Sequence, residues 1–325
     1  MALDNALNQG EADAGSLELL LAVQALEDPK ELAGVPRVKH VPMMEHQPCE
    51  AVMNNSIGSA RLADLAIAFG VERFLMISSD KAVNPTSVMG ASKRLAEIYL
   101  QSVFARHPHA TKFICVRFGN VLGSSGSVVP TFTRQIAAGG PVTVTHPDMV
   151  RYFMTIPEAV GLVLQSCAQG GGGDIFVLDM EQPINIAALA RQMIELSGLQ
   201  PDVDIEINYV GLRPGEKLFE ELKCRGENFC PTRHPRIMSF IHQPEPLARV
   251  QSALARLEEE MYSINAMEVK KRIRRLVPEY LPYEPADSLE GVASKSTESP
   301  AIKAEVFGPS RASFAQSSPV AMAGV

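Results

Sequence analysis

Two short apolar runs, the unbroken FLMI (Phe74–Ile77) and the nearly unbroken FICVRFG (Phe113–Gly119), constrain this chain more than any other feature. A strand with one wet face alternates apolar and polar residues. A continuous run is the pattern of a strand buried on both faces, as in a parallel sheet covered by helices. Between the two runs, NPTSVMGASKRLAEIYLQSVFA places Val88, Ala91, Leu95, Ile98 and Ser102 along one helical stripe. Asn84 and Pro85 suit the turn before that helix. Upstream, PCEAVMNNSIGSARLADLAIAFG reads as a helix with Ile57, Leu62, Leu65 and Ala66 on its apolar face, and Gly70 fits the position after its last turn. Downstream come a helix in TFTRQIAAGG, a strand in VTVT, a helix across RYFMTIPEAVGLVLQSCAQ and a strand in GGGGDIFVLDM. Helix, strand, helix, strand is the order of a doubly wound α/β fold.

From Pro183 the texture is that of a smaller cap. It has a helix in NIAALARQMIELSG, the alternating strand DIEINYV, a loop GLRPGEKLFEEL and a strand RIMSF. The next helix spaces Leu247, Val250, Leu254, Leu257, Met261 and Ile264 by threes and fours, as a packed face or a dimer seam would. After about Ala286 the chain is rich in Ser, Ala and Pro, and reads as a disordered tail.

With 46% hydrophobic residues in 325, the chain can bury a substantial core. A net charge of −7 argues against nucleic acid as a partner, because no excess of Lys and Arg offsets phosphate charge. No run approaches the roughly 20 apolar residues that span a bilayer. LELLLAVQAL is short and sits in an acidic context, which makes it a poor leader peptide. Five scattered cysteines, with Cys115 and Cys167 inside apolar segments, point to the cytoplasm and to no disulfide framework. The seven histidines lack metal-ligand spacing, and His107 and His109 read as surface residues.

The stretch SSDKAVNPTSVMGASK carries the chemistry. Ser79, Asp80 and Lys81 fall where the first apolar strand ends, and side chains at the carboxyl end of a parallel strand open into the ligand crevice. Met89 and Lys93, four apart, share one helix face. Residue types and spacing alone leave two readings open: an acid–base site, or a solvated Asp–Lys turn beside a surface lysine.

This stretch resembles the active-site segment of the CapD-like polysaccharide-biosynthesis nucleotide-sugar dehydratases, of the extended short-chain dehydrogenase/reductase superfamily. KHVPMME, NNSIGS, RFGNVLGSSGSVVPTF, MVRYFMTIPEAV and GLRPGEKLFEEL agree in order, from about Lys39 to about Arg236. The pattern is most similar to UDP-N-acetylglucosamine 4,6-dehydratases, which have methionine where most relatives have tyrosine.

The resemblance implies an α/β fold: a partial doubly wound, Rossmann-like parallel sheet at 39–182 and a smaller C-terminal substrate-binding cap with C-terminal helices at 183–285. Residues 1–38 would be a non-family segment and 286–325 the tail. The implied reaction is redox-neutral. A bound NAD or NADP takes the C4 hydride, water leaves across C5 and C6, and the hydride returns to C6. Lys93 would hold the nicotinamide ribose, with Met89 beside the ring and Lys39 near the cofactor. His40 belongs to the same segment and is no strong catalytic candidate. Lys81 would be the base for the C5 proton, a role that needs its pKa lowered. Asp80 would be the acid for the departing hydroxyl, and Ser79 would orient the 4-hydroxyl. Asn120, Arg213 and Glu216 would bind the diphosphate and uridine of a UDP-sugar, with Arg151 and Tyr152 as weaker candidates for substrate contacts, read mainly as structural.

One departure stands out. Residues 1–38 contain no G-x-x-G-x-x-G turn after a strand, the device that binds a dinucleotide pyrophosphate. Two expectations follow. Either the chain is an enzyme, as a homo-oligomer or completed by another chain, or it is a catalytically inactive remnant that at most binds UDP-sugar. A nucleotide-sugar epimerase is a third reading.

Overall fold

A computed structural model describes residues 39–124, 126–222 and 228–284. The expectations for residues 1–38 and 286–325 lie outside them.

The first described segment is helical: α1 (Val41–His46) and α2 (Pro48–Ala51) lead into a π-helical turn, Val52–Ile57, and then α3 (Gly58–Ala68). Strand β1 (Arg73–Ile77) follows, then a 3-10 turn at Asp80–Ala82, the long helix α4 (Val88–Arg106) and β2 (Lys112–Arg117). The predicted pair of buried strands is therefore present, and the two pair in parallel with Phe74 opposite Phe113 and Ile77 opposite Val116.

Short strands β3 (Asn120–Val121) and β4 (Val142–Val144) flank α5 (Val128–Ala137), and β5 (Val150–Arg151) and β6 (Phe153–Met154) precede α6 (Ile156–Gln169). The sequence predicts helix across Arg151–Met154, but those residues form ladders with other strands. The helix starts only at Ile156, where Thr155 and Glu158 form a capping box that satisfies the first free N–H groups. β7 (Asp174–Leu178), β8 (Ile184–Asn185), α7 (Ile186–Leu196), β9 (Ile207–Tyr209), β10 (Asn228–Pro231), β11 (Ile237–Ile241), α8 (Leu247–Glu260) and α9 (Ala266–Leu276) complete the order.

The main sheet runs β1-β2-β7-β11-β10, with β1, β2 and β7 parallel and β11 and β10 antiparallel. Strand alternation divides its side chains between two cores. Phe74, Met76, Phe113, Cys115 and Ile175 pack with α4, α8 and α9 on one face. Ile114, Val116, Phe176 and Leu178 pack with Ala159, Leu162 and Val163 of α6 on the other. A third cluster joins Phe132 and Ile136 of α5, Val142 and Val144 of β4, Ala190 and Ile194 of α7 and Ile207 of β9. The strand in VTVT thus pairs with β9, away from the main sheet. RIMSF, read as part of the cap, instead joins the main sheet beside β7.

Two further differences come from packing. In α3 the buried face is Ala60, Ala63 and Ala66, whereas Leu62 and Leu65 are 47% and 52% exposed. Close approach to the neighbouring helix selects the alanines. α4 is buried nearly all round, beyond the predicted stripe. The apolar repeat of α8 is an ordinary packed face, with Val250, Leu254, Leu257 and Met261 in the core beneath it. Among the described residues no helix is long and apolar enough to cross a membrane.

Candidate active site

The 3-10 turn at the end of β1 places Asp80 and Lys81. Asp80 N–H donates to the Phe118 carbonyl at 3.1 Å, and Ser79 caps the turn by accepting from Lys81 N–H at 3.3 Å. Ser79 Oγ donates to Asp80 Oδ1 at 2.9 Å, and Lys81 Nζ donates to the same oxygen at 2.9 Å. Asp80 is fully buried and Lys81 is 19% exposed, so this is no solvated turn pair. Asn120 Oδ1 lies 3.5 Å from Lys81 Nζ, so β3 brings the loop residue to the same ammonium.

Glu220, which the sequence reading missed, is the third charge. Its buried side chain lies 3.5 Å from Lys81 Nζ and 3.8 Å from Arg151 Nε. Arg151 lies 3.8 Å from Glu216, and Arg213 donates to Glu216 at 2.9 Å. Six charges of alternating sign therefore run from Asp80 to Arg213. The repeated glutamates in GEKLFEEL were the available signal, but only the fold shows which of them turns inward. Arg151 also donates to the carbonyls of Val150, Lys217 and Leu218, so it pins the loop that carries Glu216 and Glu220.

These charges act on one another. Burial alone pulls the Lys81 pKa down, but the Asp80 and Glu220 carboxylates outweigh it and leave it raised. That is the reverse of the shift expected from the sequence, because the expectation counted desolvation and neighbouring cations and not a second buried carboxylate. Glu216 is lowered: burial opposes its charge, but Arg213, and then Arg151, more than offset the penalty. Burial and then Asp80 push up the Tyr152 phenol, whose backbone carbonyl accepts from Asn120 N–H.

Met89 and Lys93 lie on α4, as their spacing requires. Met89 is buried, and Lys93 Nζ donates to the Ile77 carbonyl at the end of β1 at 3.0 Å. Burial lowers the Lys93 pKa. Lys93 is thus an internal lysine and not a surface one. A cleft of about 330 Å³ collects Lys39, Lys81, Asn120, Arg151, Arg213, Glu216 and Glu220 on its walls. His40 is also on the wall, capping α1. Met89 and Lys93 are not on this wall: Met89 is in the core, and Lys93 reaches the end of β1. No group of three or more His, Cys, Asp or Glu side chains among the described residues is arranged to hold a metal ion.

The sequence matches the family described as "Polysaccharide biosynthesis protein" over residues 23–242. The chain belongs to that family. It is 56% identical over 189 residues to the capsular polysaccharide biosynthesis protein CapD of Staphylococcus aureus, a match covering 58% of this chain and 31% of CapD. It is 54% identical over 199 residues to the probable polysaccharide biosynthesis protein EpsC of Bacillus subtilis, covering 61% and 33%. The chain therefore spans about a third of the length of these curated relatives. Among solved structures, Pen from Bacillus thuringiensis is similar at 36% identity and a TM-score of 0.57, covering 64% of each chain.

Proposed function

We propose that the cleft is the site of a nucleotide-sugar 4,6-dehydratase acting on a UDP-N-acetylglucosamine-like substrate in surface polysaccharide synthesis, with NAD or NADP as cofactor. The observation that carries this reading is the Asp80–Lys81 pair at the carboxyl end of β1, in hydrogen-bond contact with each other and joined by alternating charges to Arg213. One end can move protons and the other can take an anion.

The proton chemistry follows from the pair. At rest the proton is on Lys81, where Asp80 and Glu220 favour it. When that proton crosses the 2.9 Å contact from Nζ to Asp80 Oδ1, an uphill transfer against the charges that hold it at rest, a neutral amine and a carboxylic acid stand side by side. The amine takes the C5 proton of a 4-keto sugar, and the acid gives its proton to the departing C6 hydroxyl. The pair then has its original charges again. Ser79 Oγ already donates to Asp80, so toward a sugar hydroxyl it acts as an acceptor. Arg213, half exposed, offers a planar fork of donors to a diphosphate. Glu216, held ionised, accepts from ribose hydroxyls.

The residues at the end of β1 fit the nicotinamide half of a dinucleotide. Lys93 is a partly buried donor with one N–H engaged by the Ile77 carbonyl, and Met89, one helical turn away, supplies apolar packing from within the core. When bound, the cofactor supplies the hydride acceptor and donor. Among the described residues no glycine-rich turn precedes β1, so the pyrophosphate half has no counterpart there.

The test is to incubate the purified chain with UDP-N-acetylglucosamine and NAD and follow the product by mass spectrometry. A product lighter by one water, with a 4-keto signal, supports the reading. A C4 epimer of unchanged mass points to an epimerase. Neither product, with no binding of UDP-sugar or NAD, sinks the enzyme reading for this chain.

A further inference from the structure

Glu45 of α1 is a buried carboxylate outside the cleft that holds together the parts that build it. Its Oε1 accepts from the N–H of Val88, the first residue of α4, at 2.6 Å. Its Oε2 accepts from Lys270 Nζ of α9 at 2.6 Å, with both side chains buried. Gly215, in the turn between Arg213 and Glu216, rests on the same carboxylate. A Cβ added there would fall 2.9 Å from Cγ and Oε1 of Glu45, and the glycine has φ +73°. Two further bonds tie these segments. Thr86 Oγ1 donates to the Gly215 carbonyl at 3.2 Å, and Leu281 N–H, just beyond α9, donates to the Pro85 carbonyl at 2.9 Å.

A carboxylate withdrawn from water needs a counter-charge, and a helix N-terminus supplies only part of one. Without the Lys270 ammonium, Glu45 must take up a proton or swing toward solvent. Either change weakens its bond to Val88 and shifts the support under Gly215. Thr86 and Ser87, at the start of α4, and Arg213 and Glu216, in the turn, all line the cleft, so both of these parts of its wall depend on one ion pair.

We propose that Lys270 is a positioning residue for the cleft: through Glu45 it sets the start of α4 and the Arg213–Glu216 turn relative to each other. The helix pair α8–α9 is then part of the ligand-binding unit, although none of its residues lines the cleft and it lies beyond residue 242, where the family match ends. The UDP-sugar reading enters only through the choice of probe.

The experiment compares the full chain with Lys270→Met, Lys270→Arg and Leu257→Ala. The last is a core truncation in α8 that introduces no change at Glu45. Amide hydrogen exchange is read at Val88–Met89 and at residues 213–217, and UDP affinity is read by calorimetry. Lys270→Met is expected to speed exchange at both segments, and to weaken UDP, by about tenfold or more. Lys270→Arg restores most of both. Leu257→Ala lowers the thermal midpoint while leaving both within about twofold of wild type. Should Lys270→Met not fold, Glu45→Gln, which keeps the volume and removes the charge, is expected to speed exchange at the same two segments. Unchanged exchange in Lys270→Met, or equal acceleration in Leu257→Ala, overturns the proposal. If wild type binds no UDP, the ligand reading fails while the exchange data still decide the role of Lys270.

Discussion

Gly90 lies so close to Lys81 that a methyl group on its Cα would fall 2.0 Å from the Lys81 carbonyl oxygen and 2.8 Å from the carbonyl carbon. The obstacle is backbone, which cannot rotate away as a side chain can. Gly90→Ala must therefore separate the start of α4 from the turn that aims Lys81. We expect a stability loss of about 1–3 kcal/mol or more by denaturant titration, together with loss of any Lys81-dependent activity. A variant with wild-type stability and activity would contradict this contact.

Lys81 and Met89 divide the roles in the proposed reaction. Lys81→Ala leaves Asp80 without its proton partner and should lower turnover of UDP-N-acetylglucosamine by roughly 10²–10⁴-fold. Met89→Leu keeps an apolar side chain of similar volume and should be mild. Steady-state assay of the two variants checks the pair. A large loss in Met89→Leu with none in Lys81→Ala would reverse the assignment.

Arg213 lines the same cleft as Lys81, and its planar fork is the feature a diphosphate would use. Arg213→Ala should weaken UDP binding by roughly 10- to 100-fold, the worth of charged hydrogen bonds. Lys in its place keeps the charge but loses the fork, and should recover only part of the affinity. Calorimetric titration with UDP measures both. Equal affinity in all three proteins would remove Arg213 from the site.

Behind the site, Glu97 forms a buried network. It accepts from Arg117 at 2.8 and 2.7 Å, from Arg94 at 3.2 Å and from Ser78 at 2.5 Å. Burial opposes its charge, but Arg117, and then Arg94 and Ser78, outweigh the penalty and lower its pKa. A carboxyl whose pKa is lower folded than unfolded contributes stability above its ordinary value near pH 4.5. That contribution is lost as pH falls through the folded value. Glu97→Gln should cost about 3–5 kcal/mol at neutral pH, because it removes the buried carboxylate that the Arg117 and Arg94 guanidinium groups share. The loss should shrink as pH drops below the ordinary glutamate range. Thermal midpoints of both proteins from pH 7 to pH 3 test this, and a constant difference would exclude the pKa account.

The strands FLMI and FICVRFG, the helix between them and the Asp80–Lys81 pair at the strand end were legible because each depends on local order: residue type, spacing and the turn that follows. Glu45, Glu220 and Lys270 were not legible, because their worth comes from partners 43, 139 and 225 residues away in the chain. The helix face of α3 shows the same division. Its period is written in the sequence, but the neighbour that approaches it chose the alanines over the leucines.

The sequence by itself determined that a helix-covered parallel sheet forms and that an acid and a lysine stand at the end of one strand. Only the tertiary structure decided the protonation of that lysine. Its charge is set by Asp80 beside it and by Glu220, delivered from a loop that Arg151 holds in place. Electrostatic energy depends on distance in space, and spacing along the chain fixes that distance only within a turn or two of helix.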